Sequence, residues 1–154
     1  MHFHSPVIFV SDIKRSKTFY CEILGQKTEH DFGKNLIFKS GLTIWEVSPD
    51  HLIGKKLKTK SISNRFELYF ETDQIEETFI KLKKENVSFL HELHEEPWGQ
   101  RTIRFFDPDH HLIEVGEPLE IFVWNMHDSG LTNKQITEKS GIPLNTVNKI
   151  LHAR

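Results

Sequence analysis

Apolar and polar positions along this chain trace one pattern twice. From Pro6 to about Phe32 there is an apolar strand, an acidic break at Ser11-Asp12, an amphipathic stretch, a Gly stop at Gly25 and a second strand. From Phe66 to about Leu93 the same order returns, with Asp73 at the break and Asn86 at the stop. In the first copy Ile13, Phe19, Tyr20, Ile23 and Leu24 fall on one face at helical spacing, which predicts a helix from Ile13 to about Leu24. In the second, Ile75, Phe79 and Leu82 form the stripe, and Asp73 followed by Glu76 has the spacing of a capping box. Repetition of a strand and helix unit predicts two similar modules whose sheets enclose a ligand cleft.

Turn signals at Gly33-Lys34-Asn35 and Ser40-Gly41 divide the rest of the first copy into short strands, Leu36 to Phe38 and Leu42 to Val47. The second copy continues through the Glu-Glu-Pro-Trp-Gly-Gln loop, a strand from Arg101 to Phe106, a tight turn at Asp107-Pro108-Asp109-His110, and a strand from His111 to Val115. Between about Ser48 and Asn64 no period of 2 or 3.6 is sustained, and this stretch reads as a linker. After Glu117-Pro118 the repeat stops. Thr132 with Gln135 forms another capping box, Gly141 separates two short helical stretches, and Ile136, Ile142, Val147, Ile150 and Leu151 supply a small core. The tail thus reads as a helix-turn-helix hairpin. No supporting third helix is evident, and Asn145, Asn148 and Lys149 give it a thin basic footprint. Packing or oligomerisation is the expected role of the tail, and nucleic acid is not an expected partner.

Composition narrows the field. The chain has 154 residues and a formal net charge of -2, enough for one domain with an appendage and without the charge that recruits nucleic acid or an anionic membrane. Cys21 is the single cysteine, so no internal disulfide forms, and a structural thiol is its expected state. With no apolar span of membrane length and no signal-like segment, a cytoplasmic protein is expected.

The strings PVIFVSDIKRSKTFYCEILGQ and PWGQRTIRFFDPDHHLIEVGE, in this order, resemble the vicinal oxygen chelate superfamily of glyoxalase, bleomycin-resistance and extradiol-dioxygenase proteins. The DPDxxxIEV ending is the most specific piece. The resemblance implies an α+β fold of paired βαβββ modules, about 1–50 and 62–118, forming an eight-stranded open cup within a domain at 1–118. The helical tail occupies 119–154. It also implies a small-molecule ligand and a homodimer.

Metal-dependent relatives hold one divalent ion through His, Glu, His and Glu, and these positions fall on Ser5, Glu46, Glu67 and Glu114. Both imidazoles are thus replaced, by Ser5 and Glu67. Glu46, Glu67 and Glu114 would be the metal ligands, and an all-oxygen set favours magnesium, manganese or calcium over zinc; the alternative is no metal. His110 stands where a glycine is usual in the family and is expected at positive φ.

Strand alternation puts Thr102, Arg104 and Phe106 on one face, which the resemblance assigns to the cup with Glu114. Arg104 is either a clamp for a substrate anion or the counterion of Glu67 and Glu114. Glu67 and Glu114 are the candidate general bases, while Ser5, Thr102, Arg104 and Trp98 are candidate substrate contacts, with Trp98 either a lid or surface packing. Trp45, alternating with Glu46, belongs to a core or dimer seam. HisGluLeuHisGlu at 91–95 is not the metalloprotease motif, since the second His would have to stand where Glu95 is. Two function classes follow. One is a glyoxalase-like lyase, isomerase or epimerase that moves a proton next to a carbonyl. The other is a non-catalytic binding protein of the bleomycin-resistance kind.

Overall fold

Each repeat folds as strand, helix and three strands, giving an α+β chain with two four-stranded sheets and additional C-terminal helices. The structure is a computed structural model and describes residues 4–51 and 66–154. Most of the expected linker lies outside the described residues. The chain divides into two compact units, Met1–Phe66 with Phe106–His111, and Glu67–Phe105 with Leu112–Arg154.

In the first unit β1 (Val7–Phe9), β2 (Thr28–Asp31), β3 (Asn35–Phe38) and β4 (Thr43–Trp45) form a sheet of order β1-β4-β3-β2. β1 runs parallel to β4, and the other pairs are antiparallel. Helix α1 (Ile13–Thr18) is capped by Asp12, whose carboxylate accepts from the backbone N–H groups of Lys14 and Arg15 at 2.9 and 3.0 Å. It passes into a π-helical turn, Phe19–Ile23. Within this turn two consecutive aromatic residues, Phe19 and Tyr20, are both buried. Trp45 stacks edge-on against Phe9 and His51.

The Asp107–His111 turn belongs to this unit. The buried Asp107 carboxylate accepts from the N–H groups of Asp109 and His111, from the Tyr20 hydroxyl at 2.9 Å and from His111 Nδ1 at 2.8 Å. His110 takes φ +63°, as expected. Asp109 accepts from Ser11 Oγ at 2.5 Å and pairs with Arg15 at 3.1 Å.

In the second unit β5 (Leu68–Glu71), β6 (Ser88–Glu95), β7 (Arg101–Phe106) and β8 (Leu112–Gly116) form a sheet of order β5-β8-β7-β6, with β5 and β8 parallel. Helix α2 (Ile75–Lys84) buries Ile75 and Leu82. The capping box expected at Asp73 and Glu76 does not form. Gln74 is the N-cap, without a side-chain hydrogen bond, and Glu76 pairs instead with Arg101. A guanidinium adds a formal positive charge to the bond, which the backbone N–H it replaces does not carry.

The tail has three helices, not two: α3 (Leu119–Asp128), α4 (Asn133–Ser140) and α5 (Leu144–His152). The run Ile121-Phe122-Val123-Trp124 is apolar without interruption, so it shows no 3.6-residue stripe from which a helix could be read. Phe122, Val123 and Met126 close a core with Ile136, Val147 and Ile150. The expected capping box at Thr132 and Gln135 is present. Among the described residues no helix is long and apolar enough to cross a membrane.

Two contacts fasten α3 to the second sheet. The carboxylate of Glu117, only 1% exposed, accepts from the backbone and guanidinium of Arg101 and from Asn125 Nδ2 at 2.8 Å. Gly99, at φ +96°, lies so close to α3 that a Cβ there would stand 2.6 Å from Met126 Sδ.

Candidate functional site

Alternation along β7 sends Ile103 and Phe105 to the apolar side of the second sheet, where Phe105 meets Phe89, and Phe89 meets Phe79 of α2. Thr102 and Arg104 take the other face. The parallel register of β5 and β8 sets Glu114 opposite Tyr69. On this face Arg104 gathers three carboxylates. Its Nε donates to Glu67 at 3.1 Å, one terminal nitrogen pairs with Glu96, and the other pairs with Glu114. The nitrogen facing Glu96 also lies 3.1 Å from His91 Nε2. A guanidinium can only donate, so His91 accepts there, and its Nδ1–H donates to the Glu92 carbonyl at 2.8 Å.

Exposure grades across the cluster, from Glu114 at 6% and Glu96 at 11% to Arg104 at 20% and Glu67 at 37%. Burial pushes the Glu114 carboxyl above its ordinary range. Arg104 opposes that rise, and the Glu67 carboxylate beside it reinforces it. Glu96 goes the other way: burial would raise it, but hydrogen bonds from Arg104 and Thr102 hold it below the usual range. Three carboxyl groups thus face one guanidinium.

Beside the cluster stand two aromatic side chains. Trp98, 37% exposed, donates from its indole to Gln100 Oε1 at 3.1 Å, and Gln100 Nε2 donates to the Tyr69 hydroxyl at 2.9 Å. Burial, then the neighbouring Glu71, push the Tyr69 phenol up to about 12. Gly116 makes this possible, because a Cβ there would stand 2.8 Å from Gln100 Nε2 and 3.1 Å from Tyr69.

Of the residues singled out in the sequence, Glu67, Trp98, Thr102, Arg104 and Glu114 belong to the second unit, while Ser5 and Glu46 belong to the first. Thr102 is fully buried and its hydroxyl donates to Glu96 at 3.0 Å. Glu46 accepts from the Ile13 N–H and from Lys34 Nζ, both at 2.9 Å. Ser5 is half-buried just ahead of β1. Sequence reasoning passed over Glu96, His91, Tyr69 and Gln100. A signal existed only for Glu96, which opens a Pro-Gly turn that folds back through its own N–H to the Gln100 carbonyl at 2.8 Å.

A divalent ion needs converging lone pairs without a competing cation. Here the side chain at the centre of the carboxylates is itself a cation, and among the described residues no group of three or more His, Cys, Asp or Glu is placed to hold a metal. The second unit's carboxylates, drawn in around Arg104, do not fit a divalent ion.

Residues 3–120 match the glyoxalase-like domain. The chain belongs to this family. It is thereby a vicinal oxygen chelate protein, as the DPDxxxIEV ending implied. This glyoxalase-like chain is 27% identical over 120 residues to the uncharacterized protein YraH of Bacillus subtilis, covering 70% of this chain and 91% of that one. A crystal structure of a protein of unknown function from Agrobacterium tumefaciens is 40% identical, covers 77% of this chain and 95% of its own, and superposes with a TM-score of 0.66. A lactoylglutathione lyase from the same organism shares the fold at 18% identity and a TM-score of 0.56, over 75% of this chain and 92% of its own. Helices α4 and α5 lie beyond the matched residues.

Proposed function

We propose that this glyoxalase-like protein is a metal-independent binder of a small molecule that carries a protonated nitrogen on an apolar body. The observation that supports this reading is the use of Arg104. All three of its nitrogens are directed at Glu67, Glu96 and Glu114, so it acts as their counterion and has little left to hold a substrate anion. The surplus negative charge, beside exposed Tyr69 and Trp98, favours a cation that can also rest on aromatic faces. Ligand contact falls to Glu67, Trp98 and Tyr69, while Thr102 and Gln100 position their neighbours.

Calorimetric titration with matched arylalkyl amines and arylalkyl carboxylates, with and without a chelator, tests the reading. The amines should bind and the chelator should change nothing. Preference for the carboxylates, or loss of binding in chelator, would refute it.

The Glu67–Glu114 pair favours a second reading, proton transfer next to a carbonyl as in a lyase, isomerase or epimerase. A buried carboxyl with a raised affinity for its proton, next to a second carboxyl group, suits acid–base chemistry. Deuterium exchange at the α-carbon of a bound carbonyl compound, lost in Glu114→Gln, would distinguish it from simple binding. We also propose a homodimer, as the family resemblance implies; sedimentation at micromolar concentration decides it.

A further inference from the structure

The last two helices lie outside the matched family domain, yet with α3 they close a core of their own. Between α4 and α5 the chain turns at Gly141, whose φ of +74° lets it reverse within the short stretch before Leu144. The Trp124 indole donates to the Ile150 carbonyl at 3.3 Å, and Arg154 grips Asp128 with two bonds of 2.6 and 2.8 Å, so α5 is fixed against α3. Asn133 Nδ2 donates to Asn148 Oδ1 at 2.7 Å and fixes the start of α4 against α5. Two helices joined by a tight turn and braced by a third form the frame in which a helix-turn-helix presents its second helix to a groove.

The surface of that frame has a consistent character. Helix α5 contains no acidic residue, and Val147 and Ile150 are buried while Asn145, Lys149 and His152 face solvent. Leu144, its first residue, is 45% exposed. A shallow groove of about 760 Å³ opens where α4 and α5 begin, lined by His127, Thr132, Lys134, Leu144 and Asn148 among others, and no carboxylate lines it. Asp128 is held by Arg154, and Glu138 stands one turn along α4 from Lys134, 3.9 Å from its ammonium.

We propose that this tail binds double-stranded DNA, with α5 in the major groove and the start of α4 against the phosphate backbone. Lys134 and Lys149 contact phosphates. Asn145 faces base edges, and Leu144 supplies the apolar surface that a thymine methyl accepts. The α5 surface, with lysine, amide and one exposed leucine and no acid of its own, complements a duplex better than it complements an acidic or apolar protein surface. With about two phosphates neutralised, the binding constant should fall about tenfold between roughly 50 and 200 mM salt.

The test is fluorescence anisotropy of a labelled duplex of about 20 base pairs, titrated with the full-length chain. Micromolar binding at about 50 mM salt is expected. The double variant Lys134→Glu/Lys149→Glu should weaken binding at least about tenfold, while Lys84→Glu on α2 leaves it unchanged. Circular dichroism verifies that each variant is folded. No anisotropy change up to about 100 μM protein, equal losses from Lys84→Glu and the tail variants, or equal affinity for an RNA duplex would overturn the proposal.

Discussion

The two sheets share one topology and use their closing carboxylate differently. In the first unit Glu46, just after β4, is turned to its own module, where it accepts from the start of α1 and pairs with Lys34. In the second unit Glu114, within β8, is buried on the sheet face and joined by Glu67, Glu96 and Arg104. A repeated backbone thus does not repeat its chemistry. Where the carboxylate caps a helix it serves the fold, and where it is gathered with others around a cation it costs stability unless the cluster stays complete.

That difference should appear as a ranking of mutational effects. Glu117→Ala, in the second unit, should cost most, about 3 kcal/mol in urea unfolding, because it removes the buried acceptor of Asn125 and leaves the half-buried Arg101 only the exposed Glu76. Arg104→Met should cost about 2 kcal/mol at neutral pH, below the value for a fully buried pair because Glu67 is partly solvated. The deficit should shrink as pH falls and the freed carboxyls take up protons; a deficit independent of pH would remove electrostatics from the explanation.

In the first unit His111→Gln should cost about 1 kcal/mol. Burial lowers the His111 imidazole, but Asp107 outweighs burial and the net shift is upward, while Asp107 itself is held below its ordinary value. The histidine contribution is therefore complete below about pH 6.5 and declines as pH rises through the higher folded value. The aspartate contribution is present above about pH 4 and is lost on acidification. Wild type and variant should differ most between those limits. Glu46→Gln should have the smallest effect of the four, read as a slight drop in thermal midpoint. Should it exceed Arg104→Met, the contrast between the sheets is inverted.

Much of this frame was legible in the sequence. Strand and helix alternate at readable periods, the stops at Gly25 and Asn86 fall at positive φ, and Thr132 with Gln135 is a local signature that needs no tertiary partner. Two features escaped because a longer-range contact outcompeted the local one, or because the pattern carried no period. Glu76 left its capping box for Arg101, which is distant in sequence, and α3 was hidden in an uninterrupted apolar run. Within the site, Arg104, Glu67 and Glu114 were legible from strand alternation and family resemblance. Glu96 and His91 were not, since their meeting with Arg104 depends on how β6 and the following loop lie against β7.

Gly99 and Glu117 give the end of the family domain a mechanical meaning. A cut placed there would not separate two bodies. Any tilt of α3 presses Met126 on the Gly99 loop and pulls through Glu117 on Arg101, and both lie on or beside the strand that carries Arg104. The three helices are a lever clamped to that strand, and a load applied to α5 is delivered within one strand length of the carboxylates.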